Sequence, residues 1–217
     1  MKCLLYYGFL PLALALPACS QESPMSTQRP AAPLPDSASA TAAAPVQHAA
    51  PAAEKVVRNM LQWYSVNMEK LPANFILHAN GADTTKFYAV NFPGTENWLK
   101  SLQATGYFSD AYLNAWRAYF RRQNDTLRVH PQNDGPAAGF EYDFILYSQE
   151  ADSKVQELQA GTFTSASSSP THAVVLAAGP KHADSGSPWQ EQLLLELSKS
   201  ASQGWVIDAI SNPRQED

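Results

Sequence analysis

Asp143 is the ionisable residue whose surroundings most need an explanation. It stands between Tyr142 and Phe144 in the apolar run Phe140–Tyr147, which reads as a strand, and acids are depleted in strands. A carboxylate held there has two uses. As a base or a ligand-binding group it needs partners, and Tyr64 and His172 are the side chains able to supply them. As a structural group it caps a helix or bonds a loop. Glu141 shares its strand face, so that face also reads as wet.

The other reactive side chains form no catalytic pattern. His48, His78, His130, His172 and His182 lack the close spacing of a zinc motif, and no cysteine follows Cys19 to complete one. Thiol catalysis and disulfides are thereby excluded from residues 20–217. Ser185-Gly186-Ser187-Pro188 has turn composition rather than that of a nucleophile elbow, and no glycine-rich loop is built to cradle phosphate. The residues thus call for no cofactor, no metal and no catalytic group. Arg117, Arg121, Arg122 and Arg128 make a small basic cluster, with Arg117 and Arg121 one helical turn apart. The 217-residue chain nevertheless has 20 acidic against 15 basic residues, a net charge of −5. That balance disfavours nucleic acid, and the cluster reads as a solvated helix face.

These residues must be positioned by one domain, 54–217, because the preceding segment has little to pack. Val56, Val57, Met60, Leu61, Tyr64 and Met68 recur at helical spacing ahead of Pro72. A short helix is expected from Thr95 to Gly106, and a longer one capped by Ser109 with Phe108 and Leu113 as a hydrophobic staple. After Gly139 the pattern becomes that of strands: Phe140–Tyr147, Gly161–Ser167, His172–Ala178, Trp189–Ser198 and Trp205–Ser211. All five tryptophans fit core faces, and one exposed beside a cleft would point to binding. Helices first and an antiparallel sheet afterwards predict an α+β fold, with the helices packed on one face of a curved sheet.

The N-terminus carries an address. Met1-Lys2, the apolar run Cys3–Leu16 and the small residues that follow read as a secretory signal, too short to be a membrane span. Leu16-Pro17-Ala18-Cys19 resembles the lipobox of bacterial lipoproteins, although Pro17 departs from the usual small residue. That resemblance implies a signal peptide over 1–18 and lipidation at Cys19; Ser20 after the cysteine resembles proteins sent to the outer membrane. Cleavage after Ala15 is the rival reading. From Glu22 to Ala53, 17 of 32 residues are Pro or Ala and none is aromatic, so 19–53 reads as a disordered tether. Stretched at ~3.1 Å per residue, it would reach about 100 Å.

Trp63-Tyr64, Asp143-Phe144-Ile145, Ser148-Gln149-Glu150 and the closing Gly204-Trp205-Val206-Ile207-Asp208-Ala209-Ile210 resemble a small family of secreted bacterial domains of the nuclear-transport-factor-like (cystatin-like) superfamily. The resemblance implies a cone with a cavity. On such cones a carboxylate and a tyrosine can act as base and oxyanion donor. Because the family supplies no catalytic motif, the leading expectation is a non-enzymatic lipoprotein. It would be lipid-anchored to the outer membrane, face the periplasm, and bind a protein partner in the envelope or a small ligand. An immunity-type inhibitor of an envelope toxin is the narrower form. The alternatives are a cavity enzyme using an Asp/Tyr pair on a small hydrophobic substrate, and a passive envelope-assembly component.

Overall fold

The computed structural model describes residues 50–78, 86–183 and 188–213. The signal segment, Cys19, His48 and the tether up to residue 49 lie outside the described residues.

Helix α1, Ala50–Asn67, buries Ala53, Val57, Met60, Leu61 and Tyr64 along one stripe. It opens four residues before the expected domain boundary. Alanine is the best helix former, and Pro51 in the first turn lacks only an N–H that would be unpaired there anyway. A 3-10 turn, Met68–Lys70, ends it, and two short strands follow, β1 (Ile76–Leu77) and β2 (Ala89–Val90), paired antiparallel.

Helix α2, Phe92–Gln103, starts earlier than Thr95 because Asn91 caps it, accepting from the Gly94 amide at 3.2 Å, with Pro93 in the first turn. Gly94 is required by packing: a Cβ there would lie 1.9 Å from the Asn74 carbonyl oxygen. Helix α3, Asp110–Val129, carries the expected Ser109 cap, which accepts from the Tyr112 amide at 3.2 Å. Its inward face holds Tyr112, Leu113, Trp116, Phe120 and Leu127.

The expected strand Phe140–Tyr147 is instead a run of bends and turns, with an isolated bridge between Asp143 and Ser148 and a turn bond from the Tyr147 amide to the Asp143 carbonyl at 2.8 Å. The Asp143 carboxylate bonds the amides of Ile145 and Leu146, offering the backbone an alternative to a sheet ladder. Gly139 (φ 83°) and Tyr147 (φ 53°) take left-handed conformations at either end. A further helix, α4 (Ala151–Ala160), not among the expected elements, follows and buries Lys154, Val155 and Leu158.

The sheet is an antiparallel meander, β3 (Thr162–Ser168), β4 (His172–Ala178), β5 (Gln192–Ser200) and β6 (Gly204–Ser211), in that order. Its buried residues include Val175, Ala177, Leu193, Leu195, Leu197 and Ile207, and α1 packs against β3, β4 and β6. The fold is α+β. Strand β5 begins at Gln192 rather than Trp189, and Trp189 is no core residue: it is 39% exposed and bridged to His182 instead.

One irregularity in the sheet bears on function. Glu196 stands opposite Ala209 and Leu197 opposite Ile207, so Asp208 is an extra residue with no cross-strand partner. Such a bulge re-aims the side chains around it.

An aromatic cluster centred on Phe144 joins the turn region to α2 and α3. Its ring is 5.0 Å from that of Trp116, 5.1 Å from Phe75 and 5.4 Å from Phe120.

Candidate functional site

The structure brings Tyr64 and Asp143 together. Tyr64 reaches inward from α1, and its hydroxyl donates to Asp143 Oδ2. Asp143 Oδ1 accepts from the amides of Leu146 (2.7 Å) and Ile145 (3.0 Å), and its own amide donates to the Ser148 carbonyl at 2.9 Å. The carboxylate therefore holds a turn closed and ties it to α1. Burial first, then the neighbouring Asp143 charge, push the Tyr64 pKa far above that of a free phenol, so the tyrosine stays a neutral donor. The space beside the pair, walled by Met68, Leu71, Phe75 and Trp98, is about 70 Å³. That is less than half of the ~150 Å³ that admits benzene in an engineered cavity.

His172 does not join them. It opens β4 at the surface, its Nδ1 lies 3.0 Å from Thr171 Oγ1, and it lines neither this space nor the cleft described next.

A larger cleft of about 190 Å³ lies between α3 and β6. Tyr112, Ala115, Trp116, Tyr119 and Arg122 contribute from α3, Asp208, Ala209 and Ile210 from β6, and Tyr147 from the turn region. Strict alternation would turn Ala209 away from its two neighbours; the bulge at Asp208 breaks that alternation beside the cleft. Its aromatic walls are fixed in place. The Tyr147 hydroxyl donates to the Ile210 carbonyl at 2.9 Å, and the Tyr119 hydroxyl donates to the Gly139 carbonyl at 2.6 Å and lies 3.1 Å from the Tyr142 hydroxyl.

Arg122 sits 5.9 Å from the centre of the Tyr119 ring, close enough for a cation–π contact. Neither Arg122 nor Asp208 forms an ion pair among the described residues, whereas Arg117 is held bidentate by Glu96 at 2.7 and 3.1 Å and Arg128 lies 3.7 Å from Asp125. The basic cluster of the sequence thus divides, with Arg122 left at the cleft.

Beneath the cleft the Tyr112 hydroxyl is closed to solvent and has no hydrogen-bond partner among the described residues. Burial pushes its pKa well up and the nearby Tyr147 adds to the rise; the Trp116 indole opposes it without reaching hydrogen-bond geometry. Burial, with Tyr142 adding, pushes Tyr147 up to about 12. The tyrosine walls are therefore neutral at ordinary pH.

Among the described residues no group of three or more His, Cys, Asp or Glu stands close enough to hold a metal ion, and no helix is long and apolar enough to cross a membrane. Asp208 stands in the closing strand motif and, as an acid within an apolar strand, carries the same signal that singles out Asp143. The cleft itself has no mark in the sequence, since the strand pattern does not show the bulge.

Comparison with protein-family models, with curated proteins and with solved structures gave no match to this chain.

Proposed function

We propose that this protein is a non-enzymatic lipoprotein of the bacterial envelope, anchored to the outer membrane through lipid on Cys19, whose periplasmic domain is a nuclear-transport-factor-like cone that binds a small ligand. The observation that carries the binding half is the α3–β6 cleft, with aromatic walls held by hydrogen bonds and two ionisable groups, Arg122 and Asp208, that form no ion pair among the described residues. A preformed, mostly apolar pocket with a few polar groups at its edge is what small-molecule recognition requires. The Tyr64–Asp143 pair gives the enzyme reading less to work with, since both carboxylate oxygens are occupied and the adjoining space is small.

Ala115 is an exposed α3 residue on the cleft wall, so Ala115→Phe would obstruct the cleft without touching the core. Small envelope metabolites screened against the purified full chain by thermal shift should yield at least one that raises Tm in the wild type and not in Ala115→Phe. Equal shifts in both would place the binding elsewhere and sink the assignment. The anchor has its own check: Cys19→Ala should move the protein from the membrane fraction to the soluble fraction. In the narrower immunity form, wild type but not Ala115→Phe would protect cells from an envelope toxin encoded beside it.

A further inference from the structure

Trp189 is the one tryptophan among the described residues that is exposed, and it is held there by more than chance packing. Its amide donates to the His182 carbonyl at 3.0 Å, and the His182 amide donates back to the Trp189 carbonyl at 2.9 Å. The two rings stack, centres 4.2 Å apart and planes 19° from parallel. His182 is fixed in turn from α4, its Nε2 lying 2.8 Å from Glu157 Oε2. One indole face thus rests on a braced imidazole while the side chain remains 39% exposed.

Around it lies a depression of about 440 Å³ lined by Lys181, Pro188, Gln190 and Gln192. The glutamines form a short chain: Gln192 Nε2 donates to Gln190 Oε1 at 3.3 Å, and Gln190 Nε2 donates to the Gly179 carbonyl. Each amide nitrogen bears two hydrogens, so each retains one donor, and Gln192 retains its acceptor oxygen. The depression therefore offers a rigid flat aromatic face, ringed by fixed amides and one ammonium.

That combination suits one class of ligand. A pyranose ring has an apolar face of C–H groups, which the electron-rich face of an indole attracts, and an equator of hydroxyls, which pair with amides and ammonium. The platform is already ordered, so little entropy is lost when a ring settles on it. A purely apolar ligand would leave the amide chain without use, and a lone cation would meet the Lys181 charge. We infer that Trp189, backed by His182 and flanked by Lys181, Gln190 and Gln192, is a saccharide-binding shelf for hexopyranose units. It stands on observations separate from those at the α3–β6 cleft.

Isothermal titration of the full chain with two probes, neutral chitohexaose and an acidic oligogalacturonate, tests this. At least one should bind. Trp189→Ala should weaken that binding about tenfold or more, as loss of an aromatic anchor does. Trp189→Phe, which restores a flat ring, should recover part of it, and His182→Ala should cost about threefold by loosening the platform. If only the acidic probe binds, the Lys181 ammonium contributes, and Lys181→Gln should weaken it further. Absence of binding to both probes, or binding unchanged in Trp189→Ala while its melting curve stays that of the wild type, would overturn the inference. Neither result would bear on the cleft, where Ala115→Phe is read independently.

Discussion

Tyr64 and Tyr112 both lie on the inward stripe of a helix, both are all but closed to solvent, and both adjoin a region that also contains an aspartate. Around Tyr64 every polar group is answered: the hydroxyl by Asp143, and the carboxylate by the hydroxyl and two turn amides. Around Tyr112 the polar groups stand apart, the hydroxyl without a partner and Asp208 without an ion pair among the described residues. The first arrangement stabilises the fold and leaves little room; the second contributes less to stability and leaves about 190 Å³ open. The difference teaches how to separate two uses of the same residue types. A closed set of hydrogen bonds marks a brace, and charged side chains left without internal partners beside open space mark a place a ligand can use.

The largest effect expected is one that damages both regions at once. Phe144 lines the space beside Tyr64 and its ring contacts Trp116 in the cleft wall, so Phe144→Ala should cost about 3–5 kcal/mol in urea denaturation. A loss below 1 kcal/mol would mean that the two regions are not joined through the aromatic cluster.

Asp143→Ala comes next. It strands the Tyr64 hydroxyl and two turn amides and should cost about 3 kcal/mol, whereas Asp208→Ala should change stability by less than about 0.5 kcal/mol. Equal losses would erase the distinction between brace and open site.

Alkaline pH should sharpen the comparison further. Tyr64, Tyr112, Tyr119 and Tyr147 all have raised pKa values, mainly through burial. Raised phenols contribute stability that is present below pH ~10, where the unfolded chain keeps its protons, and is lost as pH rises toward the folded values. With Tyr147 pushed up to about 12, the decline should be under way between pH 10 and 12, with Tyr147 alone giving on the order of 2 kcal/mol. Tyr112→Phe should make that decline shallower without changing stability at pH 7. A stability curve flat to pH 12 would contradict these environments.

The smallest effect lies outside both regions. The Arg117 hydrogen bond, against a lesser desolvation, holds the Glu96 carboxyl below its usual pKa of 4.5, so its contribution is present above that pH and lost as pH falls through the lowered value. The pair is substantially solvent-exposed, and Glu96→Gln should cost about 0.5 kcal/mol or less at pH 7. A larger loss would show an ordinary surface pair outweighing what separates the two tyrosines.

Much of this organisation is legible in the sequence where a side chain's role depends on its own helix. The Ser109 cap, the buried stripe of α1 and the inward Tyr112, Trp116 and Phe120 of α3 follow from spacing and capping chemistry alone. The region 140–160 is less so. Apolar alternation suggests a strand there, but Asp143 satisfies the following amides locally and Gly139 admits a left-handed turn, so the ladder never forms. Helix α4 had a usable signal in Val155, Leu158 and the closing Gly161, set among polar residues. The cleft was not legible. It depends on a bulge created by the register of two strands, and on which face of α3 meets β6, both long-range facts. Of the three residues that type and position bring into question, Tyr64 and Asp143 meet, while His172 stands away from their pocket.

The central claim is that Tyr64 belongs to a brace and Tyr112 does not, and two one-atom changes test it. Urea denaturation at pH 7 of Tyr64→Phe should show a loss of about 1.5–3 kcal/mol, the worth of a hydrogen bond to a charged group. Tyr112→Phe should be neutral or slightly stabilising, because its hydroxyl gives up no bond. Equal losses in the two variants, or a greater loss in Tyr112→Phe, would contradict the account.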